Sequence, residues 1–405
     1  MASLPQRWQV VILALVMQML VVGFGIYCFT FFVIPWMEDF DAQRGDLMLG
    51  YTGHSLVAAM VSPFCGFLID RYPVRRLTMG AVTIFCVALV LIARAPTAQL
   101  VAATYALLVP IGLLLGGALM GQALVARAFT ENQGRALGIA ALGTSLGGLV
   151  MPIAVTGLLE AYHWREVFDF VAITTAVIVL PLAFFVLRPG SDMSHGVHAG
   201  PPARSTGELL RDPSVAFVAI AFVMLSGLFI GVQQNVGPLA ADLAITQRQA
   251  GIVMSISALL MAVGKFTIGS LADRVRHLTL YGCLTAMSGA GLVLTATAAS
   301  VVPFAIGVFL VGIAGGAAFP LISTATLHHF GAANFGRVVG IVLAVGGLSG
   351  VVPLFASWMR DTSGSYGAAF LSLLPLLVVG LLCFRLFAVR RPPQPAFSPA
   401  VAGEG

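Results

Sequence analysis

One lysine occurs in the 405 residues, Lys265, and it lies inside an apolar run between Gly264 and Phe266. A cation at that depth costs at least about 2.5–3.5 kcal/mol to insert. It therefore marks either an anion-binding position or a lysine tied to neighbouring carbonyls. Asp273 follows eight residues later, about 12 Å along a helix, too far for the ammonium to reach the helix end. Tyr27 offers a phenol that either reaches a cavity or packs at an interface. His54 carries an imidazole with an ordinary pKa of about 6.5, suited to hydrogen-bonding a substrate or carrying a proton, or else to helix packing. The amides Gln122, Gln233, Gln234 and Asn235 read as substrate contacts or as glue between helices. No carboxylate sits deep in an apolar run: Glu38, Asp39 and Asp242 fall at one set of run ends, Asp70 and Asp273 at the other. Proton coupling would thus rest on His54 or on the acid form of a substrate. Gly264-Lys265 is not a phosphate loop, because Phe266 stands where Ser or Thr is needed and the upstream glycine spacing fails, so ATP binding is excluded. HExxH and paired buried carboxylates are absent, which argues against an enzyme. The five cysteines lack CxxC spacing, which argues against metal and disulfides. No cofactor is expected.

These groups need a lipid-embedded frame. Hydrophobic residues make up 59% of the chain and charged ones 9%, against about 25% charged in soluble domains. Nucleic-acid binding is disfavoured, since no basic face rises above the apolar background. Runs of about 20 residues or more fall at 9–36, 47–69, 77–95, 99–126, 135–158, 167–187, 214–240, 249–271, 278–298, 301–326, 337–358 and 367–388. That predicts twelve membrane-spanning helices. The first run is too long for a signal peptide and reads as a retained span. A polar stretch at 188–213 splits the chain and reads as a flexible cytoplasmic linker. Residues 392–405 read as a disordered cytoplasmic tail. With both ends inside, fifteen arginines face the cytoplasm and five (Arg44, Arg94, Arg165, Arg248 and Arg360) face outward, the bias that sets orientation.

The halves 1–187 and 214–391 also repeat each other. An offset of 203 lays Pro35 on Pro238, Asp39 on Asp242, Gly66 on Gly269, Asp70 on Asp273 and Arg71 on Arg274. An offset of 202 lays Gly134 on Gly336 and Arg135 on Arg337. Parallel repeats of six helices are a known transporter architecture. The segments Gly66-Phe-Leu-Ile-Asp70-Arg71-Tyr-Pro-Val-Arg75-Arg76 and Gly269-Ser-Leu-Ala-Asp273-Arg274-Val-Arg276 resemble the G-x-L-a-D-R-x-G-R-K signature of the major facilitator superfamily. Pro73 and Val74 depart from it, and the second copy is truncated. The resemblance implies an all-α membrane protein, two pseudo-symmetric six-helix bundles, and gating by Asp70, Arg71, Arg75, Arg135, Asp273 and Arg274.

The segment Lys265-Phe-Thr-Ile-Gly269 is similar to helix 8 of the monocarboxylate and oxalate/formate transporters, where an arginine stands at the Lys265 position. Gly23-Phe-Gly25-Ile-Tyr27 and the run from Arg127 to Gly138 resemble the same group. Lysine keeps the charge but loses the bidentate fork. Met261 replaces an aspartate frequent in the monocarboxylate branch, and residues 338–358 hold no second cation. The expectation is a monomeric carrier of a small organic monocarboxylate, a 2-oxo or 2-hydroxy acid, in symport with protons across the cell membrane. Lys265, Tyr27, His54, Gln122, Gln234 and Asn235 would line its site, with His54 coupling the proton. Anion exchange, efflux of a drug or metabolite, and ligand sensing without transport are the alternatives.

Overall fold

The computed structural model describes residues 5–129, 133–187, 204–272 and 274–390. Helix 1 runs over 6–40, helix 2 is Arg44–Arg71, helix 3 Val74–Ala93, helix 4 runs over 98–128, helix 5 is Gln133–Leu159 and helix 6 Trp164–Val186. Helix 7 is Pro213–Asp242, helix 8 Gln247–Leu271, helix 9 His277–Ala296, helix 10 Val301–Phe330, helix 11 runs over 332–363 and helix 12 over 366–389. Among the described residues, eleven helical spans are long and apolar enough to cross a membrane. The remaining long helix is helix 2, with 28 residues. Short connections make successive helices antiparallel, so the first helix start, the central linker and the last helix end share one face, called here the terminal face.

Two cores form, one from Val10 to Leu187 and one from Leu209 to Phe387, which also takes in Phe31 of helix 1. Without a hydrophobic drive between helices in lipid, close approach depends on small residues. At Gly23 a Cβ would come within 2.7 Å of the Gly147 Cα, so helices 1 and 5 touch backbone to backbone. Helix 1 also contains a π-helical turn, Gln18–Val22. There the buried Gln18 reaches the Ala140 carbonyl of helix 5 at 2.9 Å.

The described end of the linker is more ordered than its composition suggests. Thr206–Arg211 is a helix with a Ser205/Glu208 capping box, and Leu209 is fully buried in the second core. Arg204 accepts a bond from Arg337 at 3.0 Å on its carbonyl, donates its N–H to Asn334 at 3.1 Å, and pairs with Asp212 at 3.0 Å. Burial pushes the Asp212 carboxyl up, but the Ser214 N–H and the Arg204 guanidinium outweigh it and hold the group below its usual range. From residue 204 onward the linker is thus docked on helix 11 rather than loose.

Candidate functional site

The two halves meet tightly away from the terminal face. Arg44, at the start of helix 2, donates to Asp242 at the end of helix 7 at 2.8 Å. Arg360 of helix 11 grips the same carboxylate at 2.7 and 3.1 Å. The Gly45 N–H donates to Asp361 at 3.1 Å. Deeper in, Thr30 accepts from the Gly237 N–H at 2.7 Å, Gln234 donates to the Ile26 carbonyl at 3.0 Å, and Thr52 donates to the Gly350 carbonyl at 2.8 Å. Gly237 is required here, since a Cβ would run into the Thr30 backbone. This clamp had no signal in the sequence beyond Asp242 and the arginines standing at helix ends.

On the terminal-face side of the clamp a cavity of about 630 Å³ opens between helices 1, 2, 4, 7 and 11. Its polar wall is Tyr51, His54, Ser55, Ser62 and Ser226; the rest is largely apolar, with Ile26, Leu114, Phe222 and Leu343 prominent. His54 is 4% exposed and lies between the rings of Tyr51 and Tyr105, at 5.8 and 5.6 Å between centroids. Its Nδ1 is buried without a hydrogen-bond partner among the described residues. Tyr105 is itself held by a bond to the Gly25 carbonyl.

Tyr27 is elsewhere. It is buried in a cleft of only about 10 Å³ with Phe229, Gln233, Ala258 and Met261. The cleft, between helices 1, 7, 8 and 10, is filled by side chains and leaves no room for a substrate. Where an aspartate would have stood, Met261 supplies part of that packing.

Lys265 lies four residues past Met261 and seven past Ala258, hence on the same stripe of helix 8. Ala258 faces helix 5, where a Cβ on Gly148 would meet it at 2.7 Å. Lys265 is therefore one turn from the Tyr27 cleft toward the terminal face, partly buried. Among the described residues its ammonium has no hydrogen-bond or ion-pair partner. Lys265 is not among the described residues that line the cavity containing His54.

The amides divide. Gln233 lines the Tyr27 cleft; Gln234 ties the halves together as described. Gln122 is exposed and is not among the cavity-lining residues. Asn235 corrects its expected role as a substrate contact. Its Nδ2 donates to the Gly231 and Pro353 carbonyls at 2.8 and 3.3 Å, and its Oδ1 accepts from Ser357 at 2.7 Å and Tyr366 at 2.8 Å. It locks helices 7, 11 and 12, with nothing left for a ligand. Asn235→Leu should leave two buried hydroxyls unpaired, at about 1–3 kcal/mol each. A lowered unfolding temperature with unchanged substrate affinity is the expected result; weakened affinity at wild-type stability would return Asn235 to the site.

Of the expected gating residues, Arg71 is exposed beside the Phe67 ring at 5.8 Å, Arg75 stacks on Phe184 at 4.2 Å, and Arg274 is exposed. Asp273 lies outside the described residues, as do the side chains of Asp70 and Arg135.

A family model described as Major Facilitator Superfamily matches residues 15–237 and 235–404. The chain belongs to the major facilitator superfamily. Its relatives in that superfamily include monocarboxylate transporter 12-B of Danio rerio, 27% identical over 66% of this chain and 64% of that protein. The agnestins efflux protein AgnL12 of Paecilomyces divaricatus is 25% identical over 80% of this chain and 74% of that protein. The chain spans less than two thirds of the length of the monocarboxylate transporters it matches. The superfamily fold is also that of a bacterial homolog to the human lysosomal transporter Spinster, in an inward-facing and occupied conformation. That structure matches with a TM-score of 0.79 and 15% identity, over 96% of this chain and 98% of the other. The family model and the relatives and structure it resembles are those of membrane transporters, not of enzymes.

Proposed function

We propose that this transporter carries a small organic monocarboxylate, a 2-oxo or 2-hydroxy acid, in symport with protons by alternating access. The observation that carries the reading is Lys265, a half-buried cation without a counter-charge among the described residues. An anion supplies what the fold leaves open, and one cation suits one carboxylate. The naming of relatives as monocarboxylate transporters supports the same substrate class. The arginine bias makes the terminal face cytoplasmic, so the state described is inward-open, its outer side closed by Asp242, Arg44 and Arg360. In this reading the transporter works as a monomer in the cell membrane, each six-helix half a rocking unit, with the motif residues Asp70, Arg71, Arg75, Arg135, Asp273 and Arg274 governing the inner gate. Lys265 and Tyr27 come together with substrate as the halves rock.

The proton falls to His54, the imidazole on the cavity wall. Substrate and proton must favour each other's binding for symport; with Lys265 outside the cavity that His54 lines, that coupling acts through the substrate rather than by contact of the two side chains. His54→Gln should abolish accumulation driven by an imposed pH gradient while sparing exchange of labelled for unlabelled substrate. Full gradient-driven accumulation in that variant would clear His54. The undissociated acid would then carry the proton.

A second reading has one observation in its favour. The cavity wall is mostly apolar, which suits export of an apolar metabolite, as an efflux relative suggests. Uptake into proteoliposomes of labelled monocarboxylates, dicarboxylates and neutral or cationic dyes separates the two. Selective monocarboxylate transport supports the first reading; dye transport without carboxylate transport overturns it.

A further inference from the structure

Away from the central cavity, a pocket of about 460 Å³ opens on the terminal face between helices 9, 10 and 12. Arg276, His277, His328, His329 and Arg390 converge on it, and among the described residues no carboxylate lines it. The His277 and His328 rings stand 5.1 Å apart. The Asp212 carboxylate that acts on His329 is neutralised by Arg204 at 3.0 Å. So dense a group of cationic and cationisable side chains, in a chain with few charges, favours a bound anion.

The other wall of the pocket is apolar, built from Leu278, Phe387 and Val389. Val389 is also the last member of an exposed apolar stripe on helix 12, Val378, Leu382, Leu386 and Val389. At helical spacing these residues line one lipid-facing strip. Charge at the helix ends and an apolar strip running from it into the membrane together match an amphiphile. A free anion would use only the first.

We propose that this pocket binds the phosphate headgroup of an anionic membrane lipid, whose acyl chains lie along the helix 12 stripe. Arg276 and Arg390 supply the standing charge, and the histidines add donors. Basic pockets between helices on the cytoplasmic side recognise such headgroups, and each arginine near the surface contributes to holding them.

The test uses the full chain in nanodiscs of phosphatidylcholine alone and of phosphatidylcholine mixed with phosphatidylglycerol. Bound lipid is counted by native mass spectrometry, and the unfolding temperature is followed alongside. Phosphatidylglycerol should be retained and raise the unfolding temperature, and Arg276→Gln with Arg390→Gln should weaken its binding about thirtyfold. Both arginines are exposed at helix ends, so the pair of changes leaves the cores intact. Arg248→Gln, on the opposite face and 70% exposed at its side chain, is the control and should change nothing. Equal retention of both lipids, or retention unaffected by the arginine pair, would overturn the proposal. Displacement of the lipid by inorganic phosphate or glycerophosphate at matching affinity would also overturn it, in favour of a soluble phosphate ligand.

Discussion

Lys265→Ala should weaken substrate binding about a hundredfold, because truncating one partner of a desolvated charge pair costs about 2–5 kcal/mol. Lys265→Arg keeps the charge and should retain part of the affinity, the guanidinium being bulkier and differently hydrated. Lys265→Leu carries a second, opposite expectation. Without substrate, the ammonium is a partly buried charge that no partner among the described residues offsets. Replacing it with an apolar side chain should raise the unfolding temperature of the empty protein while abolishing binding, the trade of stability for function seen at strained sites. Calorimetry on the purified protein reads the affinity and a thermal melt reads the stability. Unchanged affinity in Lys265→Ala removes the lysine from the site, and with it the anion reading. A drop in stability for Lys265→Leu would show instead that the lysine is a structural tie.

The clamp on the face away from the termini should respond just as strongly. Asp242 binds Arg44 across the two halves and Arg360 within its own half, and its side chain is 21% exposed. Hydrogen bonds to charged groups contribute about 1.5–3 kcal/mol, so losing the Arg44 bond should move the balance of the two access states by roughly ten- to a hundredfold toward opening at this face. Arg44→Gln is the cleaner variant, since Asp242 keeps Arg360. Asp242→Asn removes both pairs and should shift the balance at least as far. Spin labels on exposed Gln99 and Ala299, one in each half on this face, report the separation. Distance distributions identical to wild type in Arg44→Gln would show that the clamp does not hold the face shut. Substrate affinity, measured in the same variants, should change only as far as the shift in populations requires.

Much of the architecture was legible because a bilayer restricts the choices. Only closed backbone hydrogen bonding survives in lipid, so apolar runs of the right length could be little else than helices, and the linker and the repeat followed from polar interruptions and offset matches. Pro35 and Pro238, paired by the offset, do fall inside equivalent helices 1 and 7. The paired Asp39 and Asp242 show where the repeat stops being informative. Asp39 is held within its own half by the Trp164 indole at 2.8 Å and His163 at 3.2 Å, whereas Asp242 bridges the halves. Two residues equivalent in sequence do different work because their neighbours come from different helices.

The site residues divide along the same line. That Lys265 is an isolated cation within the membrane was readable from composition and run length alone, as was the absence of a deep carboxylate. Whether a polar side chain in a helix faces cavity, lipid or another helix depends on the rotation of that helix against its neighbours, which the runs do not encode. Glycines are so frequent and the helices so uniformly apolar that no face stands out. Asn235 and Gln234 are adjacent and chemically alike, yet one locks helices 7, 11 and 12 and the other ties helix 7 to helix 1. Tyr27 was legible as a phenol at depth, but only the packing of helix 8 against helices 1 and 5 put it in a closed cleft beside Met261. The sequence by itself determined the membrane class, the number of passes, the repeat and the lone cation. The tertiary structure decided which groups share a wall and which end is shut, because those depend on contacts between residues hundreds of positions apart.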